Sequence, residues 1–88
     1  MMRTSKQILY DYVSRAREHC AGDSIKPKKE VLRDLDVAIR FAIQCNAEDI
    51  IKKLGDIRDN MRKAETFADR LPIDQKLCDI LNHELRDY

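Results

Sequence analysis

The chain has no Trp, only two Gly and two Pro, and no apolar run longer than a few residues. Without such a run there is neither a membrane-spanning helix nor the apolar centre of a signal peptide, so a cytoplasmic protein with no membrane partner is expected. Scarce turn residues, and the lack of clustered β-branched or aromatic runs, exclude a sheet protein. Cys20, Cys45 and Cys78 are odd in number and widely spaced, with no C-x-x-C pair. That excludes a disulfide framework and a zinc knuckle, and leaves three reduced cysteines acting as small hydrophobes. The two histidines, His19 and His83, stand in no spacing that would put two metal ligands on one helical face. Each is expected in solvent or at the core's edge, and no metal or cofactor is expected. There is no Gly-rich phosphate loop, and Ser5, Ser14 and Ser24 lie in no nucleophile motif. Asp34 and Asp36 are two apart, so on a helix they diverge. Enzymatic chemistry is not expected.

What is present is charge in helical order. Seventeen basic and sixteen acidic residues leave a net charge of +1. They are unevenly spread: residues 1–33 hold eight basic against four acidic, and residues 34–88 nine against twelve. Among them runs an apolar stripe at Ala47, Ile50, Leu54, Ile57, Met61, Ala64, Ala68 and Leu71, alternating three and four apart. That spacing describes an amphipathic helix with one narrow buried face. Its five large members offer about 10 kcal/mol, at about 2 kcal/mol each, if other helices cover them.

The rest of the chain supplies that cover. Thr4 and Gln7 have the form of a capping box, which starts a first helix over about 5–21 with Ile8, Leu9, Tyr12, Val13, Ala16 and Cys20 inward. Tyr10 lies off this stripe, and Gly22 is expected to close the helix in a left-handed cap. Pro27 suits the first turn of a second helix, about 27–45. Its apolar arc, Val31, Leu32, Leu35, Ala38, Ile39, Ala42 and Ile43, is broad enough to touch two neighbours. At Asn46 the phase of the pattern breaks; the spacing favours a turn capped by Asn46, although Ile43, Ile50 and Ile57 keep step as one bent helix would require. The third helix is expected over 47–71, ended by Pro72, and a fourth over 74–86, capped by Asp74. The expected fold is a single all-α domain, residues 1–88. It is a bundle of about four helices with the second and third forming a long hairpin.

Two surfaces stand out as candidate sites. Val37 and Phe41 are one turn apart on a face otherwise occupied by charge, with Arg33 and Arg40 beside them. They are either covered by another part of the chain or form the apolar anchor of an interface with a charged rim. The second surface is Lys26-Pro27-Lys28-Lys29, three lysines at a helix start, where acids are normally preferred. With Arg15 and Arg17 nearby they could hold an anion. The leading expectation is therefore a non-enzymatic protein–protein interaction module, a homo-oligomer or an adaptor, regulator or inhibitor of another protein. The alternative is a binder of nucleic acid or of a small phosphorylated ligand through the lysines.

Overall fold

The computed structural model describes residues 3–86, and all of its regular structure is helical. α1 spans Ser5–Ala21, α2 Lys28–Gln44, α3 Glu48–Lys63 and α4 Phe67–Asp79, and α4 runs on into a π-helical turn, Ile80–Glu84. α1 packs on α2 and on α4, α2 also on α3, and the α3–α4 seam closes the square most loosely. Short connections make successive helices antiparallel. Two polar links pin this order at one end of the bundle. The Lys28 ammonium donates to the Arg62 carbonyl at 2.9 Å, and Arg70 donates to the Lys26 carbonyl at 2.8 Å.

Each helix turns inward the face its spacing demands. Leu9, Val13, Ala16 and Cys20 come from α1, Val31, Leu35, Ala38 and Ala42 from α2, and Ile50, Leu54, Ile57 and Met61 from α3; all are buried. Ala64, Ile73, Leu77, Ile80 and Leu85 complete the core. The Cα radius of gyration, 12.0 Å, is that of a close-packed chain of this length.

The first helix begins as expected. Thr4 accepts from the Gln7 amide at 3.2 Å while the Gln7 side chain accepts from the Thr4 amide at 2.9 Å. Its other end differs: Gly22 has φ −91°, outside the left-handed region. Glycine is needed there for space, because a Cβ would lie 2.8 Å from Glu18 Cα. Asn46 does mark a turn, but it closes α2 rather than capping α3. With φ 55° it is left-handed, and its amide reaches the Ile43 carbonyl while that of Ala47 reaches Ala42, both at 3.0 Å. These are the two bonds of a Schellman motif, with Asn in the usual place of Gly.

The largest departure concerns the third and fourth helices. α3 stops at Lys63, eight residues before the expected end at Leu71, and Pro72 lies inside α4 rather than ending its predecessor. Thr66, not Asp74, starts α4. Its hydroxyl accepts from the Asp69 amide at 3.2 Å, and the Asp69 carboxylate accepts from the Thr66 amide at 3.1 Å and the Glu65 amide at 2.9 Å. Those two bonds, the Glu65 one first, hold the Asp69 carboxyl below its ordinary value. Ala68 and Leu71 therefore do not extend the α3 stripe. They ride on the outside of α4, where Ala68 is exposed and Leu71 is 50% exposed.

Candidate functional site

Among the described residues, the large apolar side chains that stand at least half in water are Ile25, Ile43, Phe67 and Leu71. Ile43 was expected within the buried arc of α2; it sits at the arc's outer edge and is 57% exposed. The other three share one end of the bundle. Phe67 and Leu71 are one turn apart on α4, hence on one face of it. Ile25 belongs to the α1–α2 connection, which Arg70 holds against α4 by donating to the carbonyls of Cys20 and Lys26. The connection is braced again by the Lys26 amide, which donates to the His19 carbonyl at 2.9 Å.

The surface singled out on α2 is less exposed than its sequence suggests. Val37 and Phe41 are half-buried, and Phe41 packs against the core. α2 is rotated so that this edge turns toward α1, as the bond from Asp34 to His19 on α1 shows. Arg33 and Arg40 do stand in solvent. Tyr10, off the α1 stripe, is likewise half-buried against the core.

The five cations of the alternative site do not converge. Lys28 is spent on the C-terminal turn of α3. Arg17 turns to Asp74 on α4, with 3.4 Å between Nε and Oδ1. Both of those atoms are buried and, among the described residues, have no hydrogen bond, so the ion pair between them is what offsets their burial. Arg15 lies over the Tyr12 ring, 4.7 Å from its centroid, a cation–π contact. Lys26 and Lys29 remain exposed.

Two polar features were not legible as sites. His19 Nδ1 lies 2.6 Å from Asp34 Oδ2, and the two side chains are only 19% and 8% exposed. This bond ties α1 to α2 and spares the core an unpaired carboxylate. The available signal was that Asp34 falls inside the α2 arc, three residues after Val31 and four before Ala38. As expected, Asp36 diverges from it and pairs with Arg58 on α3.

The second feature is a cleft of about 350 Å³ along the loose α3–α4 seam, lined by Lys53, Asp56, Ile57, Lys76, Asp79, Ile80, His83 and Glu84. The π turn shapes it. In an α-helix Ile80 and Leu85 would point about 140° apart. The extra residue, marked by the Leu85 amide bonding the Ile80 carbonyl, lets both reach the core. Glu84 is left at the rim, where it takes the Lys53 ammonium and raises that lysine's pKa. The apolar floor, Ile57 and Ile80, is already 1% exposed, so little hydrophobic gain awaits a ligand there.

Among the described residues no helix is long and apolar enough to cross a membrane, and no cluster of metal-ligating side chains occurs. The cysteines are unpaired, and burial pushes the Cys20 thiol up to about 11, which favours the unreactive protonated form. Comparison with protein-family models, curated proteins and solved structures finds no match.

Proposed function

We propose that this chain is a small, non-enzymatic protein–protein interaction module of the cytoplasm, an adaptor, regulator or inhibitor acting through a helical surface. The observation that carries this reading is the gathering of Ile25, Phe67 and Leu71 at one end of a bundle in which, among the described residues, the other large apolar side chains, Ile43 apart, are at least partly covered. Exposing an aromatic and two branched aliphatics together wastes burial worth about 1 kcal/mol or more per side chain, which association recovers. Phe41, which fills part of its surface against the core, is the lesser candidate.

Site-specific photo-cross-linking tests the reading. A benzophenone side chain replaces Phe67 in one variant and Phe41 in another, with Lys52, exposed at the opposite end, as control. Irradiation in cells is expected to join position 67 to another polypeptide, either a second copy or a different protein, and to leave position 52 unjoined. Absence of adducts from both 67 and 41 overturns association as the function.

A further inference from the structure

We propose that the end carrying Ile25, Phe67 and Leu71 receives an acidic amphipathic helix of a different protein, and is not a contact between copies of this chain. The inference rests on the association reading and adds the chemistry of the partner.

Charge around the apolar residues sets that chemistry. Residues 22–30 and 62–71, which build this end, contain six basic and four acidic side chains. Lys26, Lys29, Arg62 and Lys63 are exposed, and among the described residues their side chains have no hydrogen-bond or ion-pair partner. Of the two acids two residues from Phe67, Asp69 is turned back onto the Glu65 and Thr66 amides, and Glu65 stands exposed among the more numerous cations. An apolar centre edged by unpaired cations complements a helix with an apolar stripe and carboxylates beside it.

The same charges argue against a second copy. A two-fold contact is isologous, so each patch would meet itself and bring these cations face to face. Such like-charge juxtaposition is the repulsive element that keeps an interface from pairing with itself. Geometry favours a helix as the occupant. Phe67 and Leu71 stand one turn apart as a short ridge, and the neighbouring connection is already held in place by Arg70, so little ordering is left for binding.

The test uses the full chain, isotopically labelled, and a synthetic amphipathic helix of about sixteen residues with Leu and Phe on one face and Glu on the other. Its counterpart with Lys for Glu, and vesicles of mixed phosphatidylserine and phosphatidylcholine, are the comparisons. Titration with the Glu peptide is expected to shift the amide resonances of 24–26, 28, 29 and 66–71. The double variant F67S/L71S should weaken binding about tenfold or more. K26Q/K29Q, on exposed positions, should weaken it several-fold and flatten its salt dependence. Equal binding of the Lys peptide, shifts centred elsewhere, or vesicle binding without peptide binding overturns the proposal. A dimer in light scattering that F67S/L71S dissolves also overturns it, yet leaves association standing; only the failure of cross-linking removes both.

Discussion

At the scale of single residues, the informative side chains are those whose neighbours leave them no alternative. His19 is the main hydrogen-bond partner of a carboxylate 8% exposed. Replacing it with Ala strands Asp34, and the expected cost is about 2–3 kcal/mol. Urea unfolding should show the midpoint falling while the slope holds. The two glycines should respond in opposite senses to Ala. At Gly55 a Cβ meets nothing within 4 Å, so Gly55→Ala should stabilise by about 0.5–1 kcal/mol through helix propensity alone. At Gly22 the same change drives a methyl onto the Glu18 backbone and should destabilise. Thermal melts of the two variants, run side by side, check the opposed signs.

At the scale of elements, helix starts decide the architecture. Thr66→Ala should cost about 1 kcal/mol by removing the acceptor for the Asp69 amide, read as a lowered denaturation midpoint. The cap also has a pH signature. Because its folded pKa is depressed, Asp69 contributes in full above its ordinary value of 3.8 and loses that contribution as the pH falls through the lower folded value. Asp69→Asn should therefore flatten the acid limb of a stability–pH curve and leave neutral pH dependence unchanged. The Thr4–Gln7 box was legible because it has the ordinary Ser/Thr-x-x-Glu/Gln form. Thr66 with Asp69 uses a shorter acid, and the apolar three-four spacing ran straight across it through Ala68 and Leu71. Periodicity measures phase along a chain, and it cannot see that the chain has turned back. Pro72 then misleads: it stands in the sixth helical position, past the first turn, and costs α4 the bond to the Ala68 carbonyl without ending it. The same phase error puts Leu71 in the buried stripe, whereas it stands beside Phe67 on an exposed ridge of α4. The π turn belongs at this scale too. Since Leu85 occupies the place that residue 84 would take in a regular helix, deleting Asn82 should restore α-helical bonding and keep Leu85 inside. A deletion within a helix is ordinarily damaging; here the variant should fold with near-normal helicity by circular dichroism.

At the scale of the molecule, connectivity matters more than any one contact. Three of the four seams join helices adjacent in sequence, and only α1 against α4 joins the first to the last. The hairpins can therefore assemble from local contacts, whereas the final seam must close a loop spanning both middle helices. That order has a kinetic consequence. The Arg17–Asp74 pair, which crosses the last seam at 3.4 Å, should still be unformed in the folding transition state. Asp74→Ala should then speed unfolding and leave the refolding rate nearly unchanged, visible in a chevron plot as a shift of one arm. The closing seam would act as the latch on the native state, setting how long a folded molecule lasts rather than how quickly one forms.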